Sequence, residues 1–184
     1  IALDKVQRWL QERCLAVRDE RSGLFCPTGP EWNYRDTAAD CFPFYAWAAY
    51  FTDKSVFDTV MLDALEAEQR LCTHLDRLPV PYDMKAGRKI VVPHDEMIFG
   101  ASEYAKDGLV PLVEITGKQS AWSRRLRGLV EDIFKHAAVE TPHGKIPSTN
   151  IEVNGELLQL LPRLYRMTGQ QKFLDWAHRL ADYY

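Results

Sequence analysis

The sequence has few cysteines, no basic surplus and no long apolar run, and each absence excludes a class of protein. Its 184 residues include 23 lysines and arginines against 26 acidic residues, which argues against a nucleic-acid binder built on a basic face. No run approaches the roughly 20 consecutive apolar residues of a membrane helix. With 10 glycines, 10 prolines and a hydrophobic fraction of 46%, the composition is typical of one globular domain over residues 1–184.

The cysteines and the short motifs point to no bound group. Cys14, Cys26, Cys41 and Cys72 form no C-x-x-C pair, so free buried thiols are favoured over disulfides, and the compartment stays open. The sequence also lacks the signatures of phosphate-binding loops, dinucleotide sites, zinc proteases and serine hydrolases. We therefore predict no metal and no cofactor, and neither a nucleic acid nor a membrane as partner.

Three similar short segments divide the chain into hairpins. Residues 50–54, 114–118 and 166–170 each interrupt an apolar pattern of helical period, which resumes after the break. Their threonines, Thr52, Thr116 and Thr168, recur roughly every 50 to 65 residues, in the range of helical-hairpin repeats.

These breaks predict an all-α fold of antiparallel helical hairpins. The expected first helices of the hairpins cover about 36–52, 96–116 and 152–168, and the returning helices about 55–74, 119–138 and 171–184, with a further helix near 3–18. Pro43, Pro111 and Pro162 lie inside the three first helices, where proline tends to bend a helix, so we expect these helices to curve around a shared centre.

Two pairs of acidic residues occupy matching positions in the first and third hairpins. Asp36 and Asp40 precede Thr52 by the same intervals as Glu152 and Glu156 precede Thr168. A spacing of four residues places each pair on one helix face, at the end joined by the long connections 75–95 and 139–151.

Paired carboxylates at one rim suit acid–base or nucleophilic chemistry, because hydrolysis of a glycosidic bond typically uses two of them. Asp36, Asp40, Glu152 and Glu156 are therefore the candidate catalytic residues. The alternative is structural, since acids in a first helical turn also cap free amides and favour the helix dipole.

Aromatic and polar residues near the same rim are the candidate substrate-binding groups. Trp32, Tyr34 and Tyr82 could offer apolar platforms to a ring-shaped polar ligand such as a sugar. His94, Asp95 and Glu96 precede the middle first helix, where they could contact substrate or cap the helix.

Several of these segments resemble hairpins of the six-hairpin glycosidase-like superfamily, the (α/α)6 toroid: residues 36–40, 153–159, 165–169 and 173–177. That superfamily includes unsaturated glucuronyl hydrolases, rhamnogalacturonyl hydrolases, arabinofuranosidases and sugar epimerases, with sites in a funnel at one end of the inner helices. The resemblance implies the fold and a carbohydrate substrate, and it assigns no catalytic residue.

Repeat length suggests that the chain supplies only an arc of such a toroid. Six hairpins of about 55 residues would need about 330, so we expect a fragment of a larger toroid, and its partners would be a carbohydrate and the remainder of a longer chain. The leading hypothesis is a glycoside hydrolase-like domain that acts on a glycan through its rim carboxylates. The alternative is a non-catalytic helical-repeat module that binds a glycan or protein partner.

Overall fold

Seven helices follow one another along the chain, and short strands lie in the connections between them. The computed structural model describes all residues 1–184, and helices make up 64% of them. The helices are α1 (2–17), α2 (Phe42–Thr52, preceded by a π-helical turn at Tyr34–Ala39), α3 (54–71), α4 (94–116), α5 (Ala121–Lys135), α6 (Ile151–Thr168) and α7 (Gln171–Ala181). The all-α class predicted from the sequence is confirmed, and the arc of an (α/α)6 toroid stays a prediction.

The helices form two layers around one core. In the inner layer, α4 lies between α2 and α6 and contacts both. In the outer layer, α1 packs on α2, α3 on α2, α5 on α4, and α7 on α6. Aromatic stacking links the outer helices to one another, because Phe57 stacks on Trp122 at 4.8 Å and Phe134 stacks on Trp176 at 4.3 Å. None of the helices combines the length and apolar content that crossing a bilayer requires.

The repeated threonines have a common structural role. Thr52, Thr116 and Thr168 each donate their hydroxyl to the backbone carbonyl four residues earlier, at 2.6 to 2.7 Å, in the last turn of a first helix. Gly169 then ends α6 in the left-handed conformation with φ 72°. Asp53, which takes the equivalent place in the first hairpin, keeps a negative φ and instead accepts a hydrogen bond from the Val56 amide at the start of α3.

The prolines only partly follow the expectation of bent helices. Pro162 lies within α6, but Pro43 lies in the first turn of α2, where its missing N–H breaks no helical hydrogen bond. Pro111 lies in the first turn of the α-helical segment that follows a π-helical turn at Tyr104–Leu109 inside α4. Pro43 therefore does not have the mid-helix position expected from the sequence, and the curvature of the helices stays a prediction.

The long connections carry two small antiparallel sheets. In one, β1 (Glu31–Trp32) pairs with β4 (Tyr82–Asp83), which pairs with β5 (Arg88–Lys89). In the other, β2 (Thr73–His74) and β3 (Leu78–Pro79) form a hairpin after α3. The register places Trp32 opposite Tyr82, so the first sheet holds both rings against the helical core.

Candidate active site

Charged side chains from all three hairpins meet at the end of the inner layer that carries the long connections. We call this set the acidic cluster, and its members lie close enough to Glu103 or Glu156 to perturb the ionisation of one or both. The cluster consists of Arg35 and Asp40 from the first hairpin, Glu103, Lys106 and Asp107 from the second, and Glu152 and Glu156 from the third. Carboxylates therefore outnumber cations at a site shared by three separate helices.

Glu156 is the most perturbed carboxyl group of the acidic cluster. It lies in the second turn of α6 and is only 7% exposed. Burial, aided by the negative charges of Glu103 and Asp107, raises the pKa of Glu156 to about 7. The Ser102 hydroxyl, 2.6 Å from Oε2, and the Lys106 ammonium oppose this rise. A carboxyl group with this pKa is a mixture of acid and base near neutrality, as general acid–base chemistry requires.

The two oxygens of Glu156 differ in their surroundings. Oε2 contacts the Ser102 hydroxyl, whereas Oε1 accepts no hydrogen bond from the protein and is not among the fully buried unpaired atoms. One oxygen is thus bonded to the neighbouring helix, while the other has no protein donor. This asymmetry distinguishes Glu156 from an acid that serves only in a structural ion pair.

Glu103 of α4 lies close to Glu156 of α6, and the two carboxyl groups have similar surroundings. Burial and the charges of Asp40, Asp107 and Glu152 raise the pKa of Glu103, while the Arg35 guanidinium, 3.5 Å from Oε1, lowers it. Its Oε2 is buried and has no hydrogen-bond partner. Such an acceptor is costly to leave unpaired, and less so when the carboxyl group is protonated, which agrees with the raised pKa of Glu103.

The four candidate catalytic acids have different positions. Asp40 and Glu152 are exposed members of the acidic cluster, and Glu156 is buried beneath them. Asp36 is bonded locally, because its amide and its carboxylate both contact the Asn33 side chain, at 2.8 and 3.3 Å. The structure therefore brings Asp40, Glu152 and Glu156 together at the acidic cluster. Asp36 instead forms local hydrogen bonds in the turn before α2.

The three aromatic candidates are not exposed platforms, which corrects the expectation drawn from the sequence. Trp32, Tyr34 and Tyr82 are 3%, 6% and 9% exposed. Trp32 meets the Tyr104 ring edge-on at 6.3 Å, and Tyr34 donates its hydroxyl to Glu96 Oε1 at 2.9 Å. The β1–β4 pairing and the inner helices cover these rings. The three rings therefore belong to the core that underlies the site.

His94, Asp95 and Glu96 form the first turn of α4, which begins two residues earlier than predicted, and no side chain caps its first amides. The His94 ring lies 3.1 Å from the His136 carbonyl, through Nε2, and 3.6 Å from the Asp95 carboxylate, through Nδ1. Asp95 is exposed, and Glu96 is bonded to Tyr34. The charge of Glu103 also contributes to the raised pKa of Tyr34, so the Tyr34 ring links Glu96 to the acidic cluster.

Glu103 and Ser102 were not among the predicted catalytic or substrate-binding residues, because the middle hairpin breaks the pattern of paired acids. At the two matching offsets it has Gly100 and Tyr104. A Cβ on Gly100 would collide with the Tyr34 ring, and Tyr104 is buried against Glu68 and Arg125. Glu103 precedes Tyr104 by one residue, so a search for acids near the matching offsets would have found it.

An apolar groove of about 550 Å³ runs along the first hairpin between α1 and α2. Leu3 and Trp9 line one wall, and Phe44, Trp47 and Phe51 line the other. Phe44 and Phe51 are 54% and 58% exposed, which is unusual for side chains so close together.

No protein-family model matches the chain, and neither a curated protein nor a solved structure gives a significant match. The structure contains no group of three or more histidine, cysteine or acidic side chains arranged to hold a metal ion.

Proposed function

We propose that the chain is a carbohydrate-active, glycoside hydrolase-like domain in which Glu156 acts as the general acid. The observation that carries this proposal is the Glu156 carboxyl group itself, buried, with a pKa near 7 and with Oε1 open. Cleavage of a glycosidic bond needs a proton on the leaving oxygen, and a carboxylic acid with a raised pKa supplies it.

The second catalytic group, a base or nucleophile, would be an ionised carboxylate on the exposed side of the acidic cluster. Asp40 and Glu152 lie there, in contact with solvent. Either could activate a water molecule or attack the anomeric carbon, since both roles need a carboxylate across the scissile bond from the acid. The exposed Arg35 guanidinium would bind sugar hydroxyl groups.

The order of the helices supports an arc of an (α/α)6 toroid as the scaffold. First helices form the inner layer and returning helices the outer layer, and the acidic cluster lies at the end of the inner helices where the long connections begin. In such an arrangement, side chains of successive inner helices can meet at one site.

The test is hydrolysis of a panel of aryl glycosides that release a coloured phenol, with pentosides, hexosides and uronides in separate wells. We expect turnover of at least one member by the wild-type chain and a loss of about 100-fold or more in Glu156→Gln. Asp40→Asn and Glu152→Gln, tested separately, identify the second carboxylate. Glu66→Gln, on the exposed side of α3, is the matched control and should keep full activity.

Full activity of Glu156→Gln would contradict the role of the general acid. Saturable binding of a glycan without any turnover would instead favour the non-catalytic helical-repeat module.

A further inference from the structure

Ser102 lies between two hydrogen-bond acceptors but has only one proton to donate. Its Oγ is 2.8 Å from the backbone carbonyl of Phe99 and 2.6 Å from Glu156 Oε2. Ser102 is 0% exposed, so water cannot provide a second donor from bulk solvent. A hydroxyl donates one hydrogen bond and can accept others.

The protonation state of Glu156 decides whether both short contacts can be hydrogen bonds. When Oε2 carries a proton, it donates to Ser102 Oγ, and the Ser102 hydroxyl donates to the Phe99 carbonyl. When Glu156 is ionised, the Ser102 hydroxyl has one proton for two acceptors. It can donate to only one of them, and at the other contact two oxygen lone pairs face each other, which is unfavourable. A charged acceptor forms the stronger hydrogen bond, so the Ser102 proton then turns to Oε2.

We infer that Ser102 is a positioning residue whose hydroxyl proton follows the state of Glu156, pointing at the Phe99 carbonyl when the acid is protonated and at Oε2 when it is ionised. This inference rests on the proposed function for its catalytic meaning, since it supplies the general acid with a partner in both states. Transfer to a substrate proceeds from the form of the acid that carries its proton on Oε1, in which Oε2 accepts from the Ser102 hydroxyl. That proton goes to the leaving oxygen of the substrate, and Ser102 keeps its own.

Other charged groups around Glu156 are fixed in position and act in both states. Glu103, Lys106 and Asp107 face it from α4, and Glu152 precedes it by one turn on α6. Arg35 and Asp40 act one step away, through Glu103. Ser102 is the one neighbour that can donate to the anion and accept from the acid.

Titration of the Glu156 carboxyl carbon by NMR, with glutamate labelled at the side-chain carboxyl, tests the inference without any substrate. The Ser102 hydroxyl holds the pKa of Glu156 lower than burial alone would, so we expect Glu156 to titrate at a higher pH in Ser102→Ala than in the wild type. Ser123→Ala, at another buried serine, is the control and should leave the midpoint unchanged. An unchanged or lower midpoint in Ser102→Ala would overturn the inference.

A second measurement needs no variant at Ser102 and stays informative if that variant fails to fold. The Phe99 carbonyl gains or loses a hydrogen bond as Glu156 titrates, so its carbon shift in the wild-type chain should move with the same midpoint. Glu156→Gln should abolish that movement. A Phe99 carbonyl shift that is constant with pH would refute the coupling between Ser102 and Glu156, even if the chain hydrolyses glycosides. A Phe99 shift that follows the Glu156 titration, in a chain without turnover, would refute only the proposed hydrolase function.

Discussion

Glu68 and Arg125 form a two-point ion pair in the centre of the core, with Arg125 Nη2 2.6 Å from Oε1 and Nε 2.9 Å from Oε2. The side chains are 4% and 0% exposed, and Arg125 also donates to the Arg77 carbonyl at 2.8 Å. The pair joins α3 to α5 behind the inner helix α4, whose Tyr104 ring lies 5.6 Å from the guanidinium carbon. It therefore links two outer helices to each other and to the inner helix α4.

Removing one partner of this pair should be strongly destabilising, because the other charge stays buried without compensation. For Arg125→Met we expect a loss of about 3 to 5 kcal/mol in the free energy of unfolding, measured by urea denaturation. Arg124→Met, on the neighbouring exposed position, should change it by less than about 0.5 kcal/mol. The double variant Glu68→Leu with Arg125→Met should lose less than the sum of the single losses, and simple additivity would contradict the coupling.

The contact between α4 and the turn before α2 requires a glycine at position 108. A Cβ there would lie 2.6 Å from the Ala38 carbonyl and 2.6 Å from the Tyr104 ring. Gly108→Ala should therefore cost about 1 to 3 kcal/mol in thermal or urea unfolding. Gly155, in α6, has nothing within 4 Å of the same position, so Gly155→Ala should stabilise the chain by up to about 1 kcal/mol. Equal effects of the two substitutions would show that the close approach is absent.

Stability should fall with rising pH on account of Glu156. An ordinary glutamate titrates at 4.5, whereas the pKa of Glu156 in the folded chain is raised to about 7. Between these values the folded state binds a proton that the unfolded state has released, so the free energy of unfolding decreases as pH rises through this window. The decrease is on the order of 3 kcal/mol, and it should vanish in Glu156→Gln.

Urea unfolding at several pH values between about 4.5 and about 7.5 isolates this contribution as the difference between the wild type and Glu156→Gln. Glu152→Gln, an exposed acid one turn earlier, should retain the wild-type dependence. Parallel curves for the wild type and Glu156→Gln would mean that Glu156 titrates normally.

Much of the fold could be predicted from periodicity, because the helices bury apolar faces at regular spacing. The predicted first helices at 96–116 and 152–168 begin within two residues of α4 and α6. The recurring threonine also indicated where each first helix ends, since its hydroxyl donates to a backbone carbonyl in the last turn of that helix. The π-helical turns at Tyr34–Ala39 and Tyr104–Leu109 could not be predicted, because they arise from the close packing of these two segments on each other.

The candidate site could be predicted only in part. Matching offsets identified Glu156 and the two exposed carboxylates, but they could not show that Glu103 replaces a pair in the middle hairpin. Burial of Trp32 and Tyr34 depends on tertiary contacts with Tyr104 and Gly100, which lie far along the chain. Local sequence therefore indicated the rim, and long-range packing decided which of its side chains are buried and which are exposed.

The central claim, that Glu156 is a general acid, is tested most directly by the pH dependence of kcat/KM on an aryl glycoside that the chain hydrolyses. We predict that the rate falls on the alkaline side with a midpoint near pH 7, where Glu156 loses its proton, and that Glu156→Gln loses this limb together with most of the activity. A rate that stays constant from about pH 6 to about pH 9 would contradict the account, because no group with the pKa of Glu156 would then control proton donation.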